Sequence, residues 1–350
     1  MPANLIQSAI DKLRVQLNSI NVDGLLISEY NKQYLNKYKN NFNFYMHNYA
    51  QLLEKTIAQL DKPIHESVFV DYGGGCGILS FLAINCGFKQ VVYNDIYHES
   101  VQDVQEIAKA INCDMNHFIA GDIDQLFIEL EQQNVRPSCI CSFDVLEHIY
   151  NVNAWINSIA EYPLKLSVIA MTSANPENPF INTRLKKLHQ QAELIGFEKN
   201  KSWKPSDLNT SFLNERKKII AKHFPAVKKT QLQQLAAQTR GLREEDIISA
   251  VQEYIDNGKL SYQIIHPSNT CDPYTGNWTE RLLNLEKLKQ YIRSKNLQVS
   301  IHNSFYACST NKLLNIPKFV LNFLLKIAGN QSLLLSPTYT LIIKKRRNNN

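Results

Sequence analysis

Apolar residues recur at helical spacing over residues 3–18 and again over 30–60, where Tyr30, Tyr34, Tyr38, Tyr45 and Tyr49 fall near three- and four-residue steps. The rhythm then changes. "SVFVDY" (67–72), "QVVYND" (90–95), "HFIAGD" (117–122), "SCICSFD" (138–144) and "LKLSVIAMTS" (164–173) are short, β-rich and almost continuously apolar, as strands buried on both faces are. The intervening segments 78–86, 99–111, 124–133 and 151–161 are long enough for helices. Strands alternating with helices imply right-handed β-α-β units, so the expected fold is α/β, a doubly wound Rossmann-like sheet covered on both faces.

After residue 174 the alternation stops. "SANPENPFINTR" reads as loop, 181–258 mostly as helices, "PSNTCDPYTGNW" (267–278) as a second loop and 279–296 as a helix with acidic residues near its start. "LQVSIHNSFYA" (297–307) alternates like a strand, 311–328 reads as a helix, and "TYTLIIKKR" (338–346) as a last strand. The expected organisation is therefore N-terminal helices over 1–60, a core over 61–175, a helical insertion over 176–280, and completion of the core by 281–350. No internal repeat interrupts it.

Chemistry enters at "VFVDYGGGCGILSFL" (68–82), where a buried strand ends in Asp71 and four of the next six residues are glycine. Bare backbone turns tightly and lets a ligand approach, and ligands of open α/β sheets sit outside the carboxyl ends of the strands. The loop alone leaves a dinucleotide open. With Gly73 and Gly75 first, Ile78 falls at the third glycine position of the dinucleotide fingerprint and fits poorly, but from Gly75 that position is Ser80. The later strand ends are more telling. Asp95 closes the second strand, where a carboxylate can accept both hydroxyls of a ribose. Asp122 closes the third, placed for an adenine amine, and "SFDVLEHI" closes the fourth with Asp144, Glu147 and His148. One strand-end carboxylate is ordinary solvation. Four at one edge repel a pyrophosphate and suit a ligand with a cationic centre.

The string "VDYGGGCG … YNDIY … AGDID … FDVLEHI" resembles the class I S-adenosylmethionine-dependent methyltransferases, in particular the small-molecule type with D-V-L-E-H after strand four. The resemblance covers roughly residues 60–175, with 297–307 and 338–346 matching a sixth strand and an antiparallel seventh; it leaves out 1–55 and 175–280. It implies S-adenosylmethionine as cofactor, held by Asp71, Tyr72 and the loop glycines Gly73, Gly75 and Gly77 on the methionine side. Asp95 and Ile96 would meet the ribose, Asp122 and Ile123 the adenine, and Phe143 and Asp144 the methionine end. Gly74 stands where the family usually has a small or apolar residue.

A sulfonium methyl is already activated, so such an enzyme mainly aligns a nucleophile and excludes water. A general base helps only a nucleophile that must lose a proton; His148 and His266 are the candidates, with His189 behind them, and His148 reads more readily as a structural residue that caps or packs at a helix start. Some quinone-pathway relatives bind a divalent metal through an acidic-x-x-Glu-His pattern that Asp144, Glu147 and His148 match, but most proteins with D-V-L-E-H resemble non-metal enzymes, so no metal is expected. Acceptor recognition falls to the unmatched insertion, read as a cap over the methyl donor: Arg184 and His189 in its first helix, Tyr274, Trp278 and Arg281 in its loop. Each has a bland reading beside it, a solvated helix face for the first two and a turn anchored by Trp278 for the others. The Tyr-rich stretch 30–49 reads as core more readily than as a cofactor cover.

The chain of 350 residues carries a net charge of +6, and residues 181–230 alone hold twelve Lys/Arg against four Asp/Glu, a local +8. That block is a solvated surface or faces an anionic acceptor. The modest net charge, and the lack of an N-P-P-Y-like tetrapeptide after strand four, argue against nucleic acid as partner and for a small molecule. Macromolecular methylation and a binding module without turnover remain the alternatives. Seven scattered cysteines without a C-x-x-C spacing, and a start that lacks a signal pattern, suggest reduced thiols in a cytoplasm. "FVLNFLLKIAG" is too short to span a bilayer, "KKRR" (344–347) reads as the solvated end of the last strand, and nothing fixes the oligomeric state.

Overall fold

The computed structural model describes residues 2–197, 210–308, 315–329 and 332–345. It divides into two units. The first comprises residues up to Leu146, Val152–Asn175 and the chain from Asn284; the second comprises Glu147–Asn151 and Pro176–Leu283.

The first unit is built on one seven-stranded sheet. In chain order its strands are β1 (Val68–Tyr72), β2 (Gln90–Asp95), β3 (His117–Ala120), β4 (Cys139–Phe143), β5 (Ser167–Thr172), β6 (Leu297–Asn303) and β7 (Tyr339–Lys345). They lie in the order β3-β2-β1-β4-β5-β7-β6. The pairings among β1–β5 are parallel, and β7 runs antiparallel to both β5 and β6. The central strands β1 and β5 are buried throughout, which is why their sequences are continuous apolar runs rather than alternations.

Around the sheet stand α1 (Pro2–Asn18), α2 (Glu29–Asn40), α3 (Phe42–Ile57), α4 (Ile78–Asn85), α5 (His98–Ala110), α6 (Ile123–Gln132) and α7 (Val152–Glu161). Side chains of α1, α3, α4 and α5 merge with Phe69, Tyr93 and Ile169 of the sheet into one apolar core. The stretch expected as one helix over 30–60 breaks at Asn41, whose φ of −116° and ψ of 30° leave the helical region between α2 and α3.

The second unit contains α8 (Pro179–Leu194), α9 (Phe212–His223), α10 (Lys229–Gln238) and α11 (Glu244–Asn257). Ile219, Ile220, Leu235, Ile247 and Val251 form its apolar centre. The segment expected as loop around Pro179 is helical from that residue. Asn178 accepts the Phe180 and Ile181 N–H groups, and Pro179 has no N–H to satisfy. Residues 198–209, part of the basic block, lie outside the described residues.

The return to the sheet starts later than the sequence suggests. The helix expected over 279–296 is α12 (Leu285–Ser294). Glu280 takes a φ of 46°, Leu282 N–H donates to Asn269 Oδ1 at 3.0 Å, and only at Asn284, which accepts the Lys287 N–H, does a helix begin. The strand expected to reach 307 stops at Asn303, because the Ser304 and Phe305 N–H groups turn to Ser336 Oγ and Gln51 Oε1. The last helix is α13 (Asn315–Ile327); residues 311–314 of the expected span, and Arg346 and Arg347 at the end of the chain, lie outside the described residues. Among the described residues no helix is long and apolar enough to cross a membrane.

Candidate functional site

Strand β1 lies between β2 and β4, so the connections after β1 and β4 leave in opposite directions and open a crevice at their carboxyl ends. The glycine loop occupies that point. The Gly73 and Gly74 N–H groups both donate to Asn94 O at 2.9 Å, and Gly77 N–H donates to Gly74 O at 2.9 Å. Two glycines here have different reasons. Gly77 has a φ of 78°, and a Cβ there would sit 2.2 Å from Val104 Cγ2 in the core; Gly75 has a φ of 54°, and a Cβ there would meet nothing within 4 Å. The first is required by packing and the second faces space that a ligand can fill. Gly77→Ala is therefore expected to cost about 2–4 kcal/mol of stability through left-handed strain and overpacking. Gly75→Ala should cost about 1–2 kcal/mol while obstructing any ligand at the loop. Thermal unfolding and ligand titration of the two variants separate these effects.

Asp71 lies beneath the loop rather than on it. It is 2% exposed, accepts the Ser80 hydroxyl at 2.7 Å, and would be 2.8 Å from a Cβ at position 74. Burial pushes its carboxyl up to about 7, with the Asp95 charge adding to the rise and the Ser80 hydrogen bonds opposing it. Between the ordinary value of 3.8 and about 7 the folded protein keeps a proton that the unfolded chain has released. Stability from this group is thus present at low pH and falls as pH rises through that window, by up to about 4 kcal/mol. Asp71→Asn should flatten that decline, so that the variant gains on the wild type from about pH 4 to pH 8 in denaturant titrations.

The end of β2 ties three strand ends together. Asn94 Nδ2 donates to Ile119 O and Gly121 O at 3.2 and 3.0 Å, and Gly121 N–H donates to Asp95 O at 2.9 Å. Asp95 Oδ2 accepts the Gly75 N–H and Oδ1 the Tyr97 N–H, each at 3.0 Å. An ionised carboxylate only accepts hydrogen bonds and does so on both oxygens, which is the chemistry that a pair of ligand hydroxyls needs. Ile96 beside it is 63% exposed, an apolar surface of the kind an aromatic base covers. Asp122 caps α6 by accepting the Asp124 and Gln125 N–H groups at 3.1 Å. Ile123 and Tyr72 are buried, and burial, with the Asp122 charge next, holds the Tyr72 hydroxyl well above its usual range.

After β4, Asp144 takes a φ of 54°, a conformation that costs a non-glycine residue energy and recurs at functional sites. It is held there from two sides: its N–H donates to Met171 O at 2.9 Å and its Oδ1 accepts the Ser173 N–H at 2.7 Å. Phe143 meets the Tyr49 ring edge to face, with centroids 5.2 Å apart. The tyrosine helices border this rim. Burial followed by the Asp144 charge pushes the Tyr45 hydroxyl up to about 12, the Asp95 charge adds to a burial-driven rise at Tyr30, and the Tyr38 and Tyr49 hydroxyls bond each other at 2.7 Å. Tyr49 belongs to the core as expected, with Tyr38 and Tyr45 packed against it, and Tyr30, Tyr45 and Tyr49 all sit within electrostatic reach of strand-end carboxylates. Cys76 in the loop is buried and its thiol pushed up to about 12, which keeps it neutral and inert.

The second unit gathers the remaining candidates differently from expectation. His148 Nδ1 lies 2.7 Å from Trp278 O, so the proton sits on Nδ1, and Nε2 lies 4.0 Å from Glu280 Oε1. Glu147, His148 and Glu280 can bring one ligand atom each to within 4.8 Å of one another; the grouping involves Glu280, not Asp144. His266 is a turn cap: its Nδ1 accepts the Ser268 and Asn269 N–H groups at 3.2 and 3.3 Å, which removes that nitrogen as a base. His189 is fully buried, with Nδ1 3.2 Å from Ser268 Oγ and Nε2 3.0 Å from Glu280 O. Burial lowers its pKa. With both nitrogens engaged it holds the unit together and does not present itself to a substrate. Trp278 is also an anchor, stacked on Tyr150 at 6.2 Å, with its Nε1–H donating to Tyr150 O and the Arg281 guanidinium 4.3 Å from its ring centroid. Arg184 is exposed on α8, and Tyr274 is 43% exposed with its hydroxyl donating to Glu215 at 3.0 Å.

No protein-family model and no curated protein matches the chain. Solved structures with a similar fold include an S-adenosylmethionine-dependent methyltransferase from Clostridium acetobutylicum, at 10% identity over 84% of this chain and 89% of that one, with a TM-score of 0.41. They also include magnesium protoporphyrin IX methyltransferase from Synechocystis, at 18% identity over 39% and 61% of the two chains, TM-score 0.30. An rRNA methyltransferase from Streptomyces viridochromogenes matches at 12% identity over 36% and 72%, TM-score 0.30. Identities and TM-scores this low assign nothing, and the reading rests on the chain's own residues.

Two residues of the site were not singled out by motif. Tyr93 donates its hydroxyl to Gly75 O at 2.5 Å, and Asn94 fastens the loop to β2 and β3 through its carbonyl and its side chain. Their only signal in the sequence is position, immediately before Asp95 in "VVYND".

Proposed function

We propose that the chain is an S-adenosylmethionine-dependent methyltransferase acting on an oxygen or nitrogen of a small molecule. One observation carries the cofactor: the Gly75 N–H is spent on Asp95, 3.0 Å away. A dinucleotide needs the amides of its glycine loop for pyrophosphate. Here the loop amide holds a carboxylate, which repels phosphate and accepts ribose hydroxyls. The residues fit the group: open space over Gly75, the acceptor-only carboxylate of Asp95, the apolar face of Ile96, and Asp122 with Ile123 for the base. Phe143 and Asp144 would border the methionine end.

When bound, the cofactor supplies a methyl group on cationic sulfur. The protein's part is to bind and orient it, to exclude water and to position the acceptor. The carboxylates of Asp95 and Asp144 favour a ligand with net positive charge at this rim. The second unit, inserted between β5 and α12, is the part of the chain we assign to the acceptor, with Tyr274, Arg281 and Arg184 as contacts. His148 is the residue we assign to proton removal. With Nδ1–H directed at the Trp278 carbonyl, its Nε2 lone pair can take a proton from an acceptor hydroxyl.

Calorimetric titration of the purified protein with S-adenosylmethionine and S-adenosylhomocysteine, with NAD as the control, tests the reading. Micromolar binding of both adenosyl ligands and none of NAD is expected. A response to NAD alone would overturn it.

A further inference from the structure

We propose that α13 seats this protein on an anionic membrane surface. The helix is amphipathic the wrong way round for a soluble domain. Ile316, Phe319, Val320, Phe323, Leu324 and Ile327, at steps of three and four, are each 43–67% exposed, while Leu325 is 1% exposed. Its orientation is fixed by polar contacts on the inner side. Asn322 Oδ1 accepts the Tyr306 N–H at 2.7 Å and its Nδ2 donates to Tyr306 O at 3.0 Å; Lys318 Nζ donates to Ala307 O at 2.9 Å. The helix cannot turn its apolar face inward without breaking all three bonds. An apolar stripe that continuous marks an interaction site.

Charge chooses the occupant. Residues 287–350 contain eleven Lys/Arg and no Asp or Glu, whereas residues 1–286 hold 27 Lys/Arg against 32 Asp/Glu. The net charge of +6 is thus +11 on the segment that carries α13 and −5 on everything before it. Exposed Lys326 sits in the helix itself. Two copies meeting through α13 would bring like charges together across a two-fold axis, whereas an anionic bilayer offers hydrocarbon for the phenylalanines and headgroups for the lysines. At 13 residues the helix lies in the interface and does not span it. This placement is independent of the methyl-transfer reading and of the second unit.

The test is flotation of the full chain with vesicles of phosphatidylcholine alone and of an equimolar phosphatidylcholine–phosphatidylglycerol mixture. The wild type should float with the mixed vesicles and remain behind with the neutral ones. Phe319→Ser with Phe323→Ser should weaken capture at least about tenfold, and Lys326→Gln about fivefold. Because these side chains are exposed, thermal midpoints should stay at the wild-type value; should the double variant lose its fold, Lys326→Gln and the drop in capture with added salt still decide. Absence of capture by mixed vesicles overturns the proposal, as does capture that ignores lipid charge. A sedimentation dimer that the phenylalanine variant dissolves, with no vesicle capture, also overturns it and assigns the face to a second copy.

Discussion

Replacing Asp95 by alanine should weaken S-adenosylhomocysteine binding at least about a hundredfold, since hydrogen bonds to a charged group contribute about 1.5–3 kcal/mol each and two are lost. The side chain has a second duty. It holds the Gly75 and Tyr97 N–H groups at 3.0 Å, so alanine also releases the loop that a ligand would rest on. Asp95→Asn keeps one acceptor oxygen and should lose about tenfold. Calorimetry on all three proteins, alongside their unfolding midpoints, separates lost contacts from a lost fold. Unchanged affinity in the alanine variant would remove Asp95 from the site and with it the ribose contact proposed for it.

Arg216→Ala should destabilise the second unit by at least about 5 kcal/mol, more than any other single change considered. The guanidinium is fully buried and pairs with both carboxylate oxygens of Glu193, while its Nε donates to Ala236 O at 2.7 Å. Glu193 also accepts the Thr270 hydroxyl at 2.7 Å. One ion pair therefore fastens α8, α9, α10 and the loop near residue 270, and removing the arginine strands a carboxylate in the interior. Arg216→Met combined with Glu193→Leu should regain much of the loss, because an apolar pair of similar size has no charge to desolvate. Proteolysis of the second unit in the single variant, and its protection in the double, would be the readout; equal sensitivity of the two would assign the loss to packing instead.

The parts of this fold legible in the sequence are those where one physical signal dominates. β1, β2, β4 and β5 are nearly continuous apolar runs between helix-length segments, so their identity and order follow from burial on both faces. Elements decided by a single polar contact were less legible. Asn41 breaks a helix that the tyrosine spacing extends, Asn178 starts one where Pro and Asn suggest a loop, and Asn284 delays one because Glu280 and Leu282 are held elsewhere. The strand-end carboxylates were readable as a set, but not their division of labour. Only the fold separates Asp71, beneath the loop against Ser80, from Asp95, on its rim. His189 and His266 looked like reactive groups because histidine spacing carries no information about burial or about which nitrogen a neighbouring amide will occupy.

The middle one of the loop's three consecutive glycines has a partner in the sheet. A Cβ at Gly74 would lie 2.7 Å from the ring of Tyr93, whose hydroxyl is bound to the Gly75 carbonyl. The same Cβ would lie 2.8 Å from Asp71 Oδ2, so position 74 is closed by the ring and the buried carboxylate together. Admitting alanine or serine at 74 requires residue 93 to shrink, which forfeits the phenol's grip on the loop, and Asp71 to give way as well. The three positions form one lock, and a chain descended from this one that carries a side chain at 74 should carry changes at 71 and 93 as well.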